Sequence, residues 1–152
     1  VSDVRINGVR VGEIGLNAGV CGYFGVPVVC VTGDEAAAQE ARNILGDDVV
    51  TVPVKRGIGR TAAESLHPEV ARRRIRDGGQ EALAKADKVK PLTFGDELAL
   101  DVRFITSAMA DMAALLPGAE RLDGTTVRFG HNDFLVVYKA FRALVALAWS
   151  AL

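Results

Sequence analysis

Glu13 and Asn17 stand four residues apart, so on a helix they share one face, and a carboxylate held there can ligate a metal ion. The same spacing fits a plainer reading, in which Glu13 sits at the positive end of a helix dipole and Asn17 is a surface residue. Thr32-Gly33-Asp34 follows an apolar run and offers helix N–H groups to an anion, but the acidic Asp34-Glu35 pair would repel phosphate. Thr32 to Glu35 also reads as a T-x-x-E capping box, with Thr32 as the cap. Arg72, Arg73, Arg74 and Arg76 form a basic run of the type used for phosphate contacts. No aromatic residue interleaves with them, which favours a solvated helix face or a subunit contact. His67 and His131 share no H-x-x-x-H spacing, and Cys21 and Cys30 fit neither a CxxC pair nor a zinc knuckle. Neither G-x-S-x-G nor H-E-x-x-H occurs, and the glycine-rich stretch 12–25 contains no G-x-G, so these hydrolase and dinucleotide signatures are absent.

These side chains need elements to hold them. Val4-Arg5-Ile6 and Val9-Arg10-Val11 alternate on either side of Asn7-Gly8, the pattern of a hairpin with a primed turn. Gly12, Gly15, Gly19 and Gly22 form one smooth face if 12–25 is helical, and close packing there would aim Glu13 and Asn17 outward. Val26 to Val31 suits a strand buried on both faces, followed by a helix ending near Gly46 and a second strand from Val49 to Val54. That order predicts a βαβ unit with parallel pairing. The chain should turn between Lys55 and Thr61, and Pro68 should start a helix to about Ala86 with a stripe of Ala71, Ile75, Gly78, Ala82, Leu83 and Ala86. Leu98 to Phe104 alternates like a half-buried strand, and a short helix is expected from Ser107 to Leu116. A second hairpin is expected at Asp123-Gly124. Asn132 is the expected cap of a last helix whose apolar face is Phe134, Val137, Phe141, Leu144, Val145, Ala148 and Leu152.

The chain has 152 residues, enough for a single domain with a real core, and its 49% hydrophobic content excludes a disordered chain. Its 18 basic and 19 acidic residues, a net charge of −1, create no field favouring nucleic acid or an anionic membrane. No apolar stretch approaches the roughly 20 residues of a membrane span, and two cysteines make no disulfide scaffold. A cytoplasmic setting without nucleic-acid or membrane partners is expected. The opening Val1-Ser2-Asp3 lacks an initiator methionine, so further polypeptide upstream is expected.

Val11-Gly12-Glu13-Ile14-Gly15-Leu16-Asn17-Ala18, then Gly22-Tyr23, Val26-Pro27-Val28 and Thr32-Gly33-Asp34, resemble the zinc-dependent D-aminopeptidases of the dipeptide-transport (DppA) type. Val54-Lys55 with Arg60 and Ala62, Leu66-x-Pro68, Lys88 to Leu92, Leu115-x-Pro117-Gly118 and Asp123 to Val127 follow in that family's order. The resemblance implies hydrolysis of short peptides after an N-terminal D-amino acid. It also implies two zinc ions held by carboxylates and histidines, and a ring-like homo-oligomer around a shielded chamber. By the same resemblance Glu13 is the family's last metal-binding carboxylate, and Asn17 is a pocket residue behind or beside the metals.

The family's Asp-x-Glu metal pair, its histidine ligands and its catalytic histidine belong to an N-terminal half that residues 1–152 do not contain, and His67 and His131 do not replace them. A catalytic zinc takes about three protein ligands, so these residues alone are expected to be inactive. The expected fold is α/β (α+β), a mixed β-sheet flanked by helices, forming the C-terminal portion of a larger metallopeptidase. Two other readings stand beside it: a non-catalytic assembly module that keeps this half of the fold, and an anion-binding domain built on Thr32 to Asp34.

Overall fold

Alternation along Leu98–Arg103 makes one strand face apolar and the other charged, and that division organises the first of two compact units, residues 1–12 with 93–152. The computed structural model describes residues 1–151, so Leu152, expected on the last helix, lies outside the described residues. In this unit β1 (Asp3–Ile6), β2 (Val9–Arg10), β6 (Leu98–Arg103), β7 (Ala119–Arg121) and β8 (Thr126–His131) form an antiparallel sheet in the order β2-β1-β6-β8-β7. The first hairpin turns on Asn7 and Gly8, with φ of 51° and 79°, as a primed turn requires. The Asn7 amide donates 2.8 Å hydrogen bonds to the carbonyls of Phe94 and Glu97, and its Oδ1 accepts one of 2.7 Å from the N–H of Ala99.

Ile6, Leu100, Val102 and Val127 are fully buried on one sheet face with Val137 and Leu144 of α5 (Phe134–Trp149). Helix α4 (Ser107–Ala113) packs beside α5. The opposite face carries Asp101, whose carboxylate accepts two hydrogen bonds, of 2.6 and 2.7 Å, from its cross-strand partner Arg128. One packed and one polar face is the usual condition of an antiparallel sheet. The cap of α5 is Asp133, not Asn132: its carboxylate accepts from the N–H groups of Leu135 and Val136. A carboxylate beside a helix N-terminus gains from the dipole as well as from the hydrogen bonds. The Asp123 loop, residues 122–125 between β7 and β8, is longer than a two-residue turn, and Asp123 Oδ1 organises it by accepting from the N–H groups of both Thr125 and Thr126.

The second unit is residues 13–92, with α1 (Glu13–Tyr23), β3 (Cys30–Asp34), α2 (Glu35–Leu45), β4 (Val50–Gly59), β5 (Ala62–Ser65) and α3 (Pro68–Ala84). Strands β3 and β4 pair in parallel and β5 pairs antiparallel to β4, so the expected βαβ unit is present and its sheet is mixed. The strands thus divide between two sheets, where a single one was expected. On β4, Thr51 accepts a hydrogen bond from Arg42 of α2, whereas Val50 and Val52 pack against Gly78 and Ala82 of α3. Successive strand residues face opposite ways, so the two helices cover the two faces of this sheet.

Several expected boundaries move. Strand β3 starts at Cys30 and not at Val26, which is 53% exposed and whose N–H bonds to the carbonyl of Cys21 instead of to a sheet neighbour. Thr32 lies within the strand, and Asp34 caps α2 by accepting from the N–H of Ala37, so no capping box forms at Thr32. β4 runs on through Gly59 where a turn was expected, because β5 folds back along it. On α3, Leu83 and Ile75 are 76% and 38% exposed, and the buried positions are Gly78 and Ala82. Small residues sit there because α3 lies so near β4 that a Cβ on Gly78 would come within 2.3 Å of Val52 Cγ2.

Candidate metal ligand and its helix

Glu13 is the first residue of α1, where four backbone N–H groups lack intrahelical partners and a negative side chain is favoured. The helix is fixed by its small residues. Gly15, Ala18, Gly19 and Gly22 are buried, while Glu13 and Asn17 are exposed on the other side. Gly12, counted with the glycine stripe in the sequence, precedes the helix. At the far end Gly22 presses on the backbone of Leu92, closely enough that a Cβ there would lie 1.8 Å from the carbonyl oxygen. At the near end the Gly15 N–H donates a 3.3 Å hydrogen bond to the carboxylate of Glu40 on α2. Glu40 is 25 residues away in sequence, and no local pattern marks it as the partner of this helix start.

Among the described residues no three His, Cys, Asp or Glu side chains gather as a metal site. His67 caps α3, its Nδ1 accepting from the N–H of Glu69 at 3.4 Å. His131 Nδ1 accepts from the N–H of Asp133 at 2.9 Å. Both imidazoles organise backbone turns. Cys30, facing α3, has its thiol pushed up by burial and further by the Glu81 carboxylate, so it is a protonated thiol at neutral pH and a poor ligand or nucleophile. Of the basic run, Arg74 lines a cleft of the second unit, and Arg72 donates to the carbonyl of Pro68. On α1 the chain therefore presents the Glu13 carboxylate outward with the Asn17 amide one turn along: a single donor for a hard or borderline cation such as zinc.

A family model described as D-aminopeptidase matches residues 1–143. The chain is 43% identical over 144 residues to a D-aminopeptidase of Bacillus subtilis (strain 168), covering 94% of this chain and 52% of that protein. The solved structure of the Zn-dependent D-aminopeptidase DppA from Bacillus subtilis, described as a self-compartmentalizing protease, matches with a TM-score of 0.93 at 41% identity. That match covers 98% of this chain and 54% of the other, so the chain spans about half the length of the relatives it matches. With the family model matching residues 1–143 and this identity across 94% of its length, the chain belongs to the D-aminopeptidase family.

Proposed function

We propose that the intact protein carrying this chain is a zinc-dependent aminopeptidase that removes the N-terminal D-amino acid from short peptides. The observation that carries this reading is the placement of Glu13: a carboxylate at the start of a helix, outward-facing, on a backbone anchored at both ends by Glu40 and by the Gly22–Leu92 contact. A ligand must keep its position while a metal exchanges water and substrate, and a helix pinned in this way provides that. Asn17, exposed one turn along, is suited to hydrogen-bond a metal ligand or the peptide beside it.

One carboxylate does not make a zinc site, so the proposal assigns the remaining ligands and the proton-transferring group to polypeptide outside residues 1–152. When bound, a zinc pair polarises a carbonyl and lowers the pKa of water. Within this chain, Glu13 contributes negative charge and position, and Asn17 contributes a donor and an acceptor. Residues 1–152 alone are expected to be inactive. We further propose that the protein works as a ring-like homo-oligomer. The exposed Tyr23 and Phe24, 46% and 66% accessible and packed edge to face, support it as apolar surface beside α1.

The test is the intact protein with Glu13→Ala, compared with wild type for bound zinc by elemental analysis and for hydrolysis of D-alanyl-D-alanine. Zinc stoichiometry should fall and hydrolysis should drop by orders of magnitude while the fold, followed by circular dichroism, is kept. Full zinc content with wild-type turnover in the variant would overturn the assignment.

A further inference from the structure

Beyond the carboxyl end of the parallel strands, past the point where β3 gives way to α2, lies a cleft of about 270 Å³. Its walls include Glu35 at the start of α2, Lys55 and Arg56 of β4, Glu64 and Ser65 of β5, and Arg74 of α3. The carboxyl ends of parallel strands are where open α/β sheets usually hold ligands. Here the register explains how distant residues meet. Gly78 of α3 packs most closely on Val52, and Arg74, one turn before it, lines the cleft with Lys55 at the end of the strand, so the helix runs antiparallel to β4. A bulge at Val54, where Gly33 pairs with Pro53 and Asp34 with Lys55, re-aims the chain at the cleft wall. Lys55 is paired with Ser65 across the β4–β5 ladder.

The charges do not cancel pairwise. Arg56 and Glu64 form a 2.7 Å ion pair, but Lys55, Arg74 and Glu35 make no ion pair or side-chain hydrogen bond among the described residues. Two unengaged cations and one unengaged carboxylate around a small cleft complement a molecule carrying both signs. We propose that this cleft binds an α-amino acid or dipeptide as its zwitterion, the carboxylate on Lys55 and Arg74 and the ammonium on Glu35. A free oxyanion such as phosphate can engage Lys55 and Arg74 but carries no cation for the Glu35 carboxylate, which a zwitterion supplies. The volume lies below the roughly 300–1,000 Å³ of sites for drug-sized ligands, which suits a ligand of this size. The proposal stands on residues of the second unit and holds whether or not the protein is a peptidase.

The experiment is titration calorimetry on the intact protein in excess EDTA, which removes metal-centred binding and hydrolysis. The probes are D-alanine and D-alanyl-D-alanine, with acetate, methylammonium and inorganic phosphate as comparators. The zwitterions should bind more tightly than any comparator, and Lys55→Ala and Arg74→Ala should each weaken them by about tenfold or more, the scale of one charge-assisted hydrogen bond. Glu35→Gln should weaken the zwitterions yet strengthen acetate, a crossing of effects that a merely structural role would not produce. All three side chains belong to exposed residues, so the variants should fold as the wild type does, which circular dichroism checks. No heat with either zwitterion, phosphate binding more tightly than D-alanine, or unchanged affinity in Lys55→Ala would overturn the proposal. Loss of the signal in Glu13→Ala under EDTA would overturn it as well, and would assign the heat to the metal ligand's surroundings instead.

Discussion

Replacing Gly22 with alanine tests the claim that α1, and with it Glu13, is held by backbone contact. The new Cβ would lie 1.8 Å from the Leu92 carbonyl oxygen and 2.8 Å from its carbon, whereas ordinary contact begins near 3.4 Å. A gap must therefore open by roughly 1.6 Å, and the obstruction is backbone, which cannot rotate aside as a side chain can. The helix-propensity gain of glycine to alanine, about 0.5–1 kcal/mol, is too small to offset an overpacking cost of about 3 kcal/mol or more. At about 2–4 °C per kcal/mol for a chain of this size, Tm should fall by roughly 5–10 °C. Gly79 on α3 is the control, since a Cβ there meets nothing within 4 Å. Gly79→Ala should raise Tm by a few degrees through propensity alone. Gly78→Ala, blocked by the stiff Val52 side chain at 2.3 Å, should fall between them at about 1–3 kcal/mol of destabilisation. Urea unfolding of the three variants gives the order directly. If Gly22→Ala proved as stable as Gly79→Ala, the backbone anchoring of α1 would be refuted.

Acid stability should depend on Asp3 and Asp123. The hydrogen bond from Arg5, then the charges of Arg5 and Arg10, hold the Asp3 carboxyl below its usual value, and the N–H of Thr125, with Thr126, does the same for Asp123. A depressed folded-state pKa contributes stability above the unfolded value near 3.9 that is lost as pH falls through the folded one. Asp3→Asn and Asp123→Asn should therefore flatten the fall of Tm below pH 4, and an unchanged slope in both would contradict the pairing. Cys30 has the opposite sense: its raised pKa favours the thiol in the folded state, so its contribution is complete below the unfolded value near 8.5 and is lost as pH rises through the folded one. Iodoacetamide at pH 8 should alkylate native Cys30 slowly and the urea-unfolded thiol quickly, and Glu81→Gln should speed the native reaction. Equal native and unfolded rates, read by mass spectrometry, would show that Cys30 is not buried against Glu81.

Elements whose signals are local were legible in the residues themselves. Asn7-Gly8 demanded positive φ at both positions and formed the hairpin, Pro68 opened α3, and the alternation of Leu98, Leu100 and Val102 decided which face of β6 is buried. The smooth face of α1 and the outward direction of Glu13 and Asn17 followed from helical spacing. Where strands begin and end was decided elsewhere. Val26 to Val29 is as apolar as a strand, yet parallel pairing starts only at Cys30↔Val50, and β4 extends past Val54 only because β5 returns along it. Cap identity at Asp34 and Asp133 followed those boundaries, one or two residues from the sequence-based expectation.

The sequence by itself determined family, local elements and the outward direction of Glu13, because periodicity, turn chemistry and motif order act between near neighbours. Tertiary structure decided what holds that carboxylate and what surrounds the cleft: Glu40 on the start of α1, Leu92 against Gly22, and Arg74 brought level with Lys55. These residues lie 19 to 70 positions apart in sequence, and only the packing of helices on a paired sheet determines which of many polar side chains are brought together.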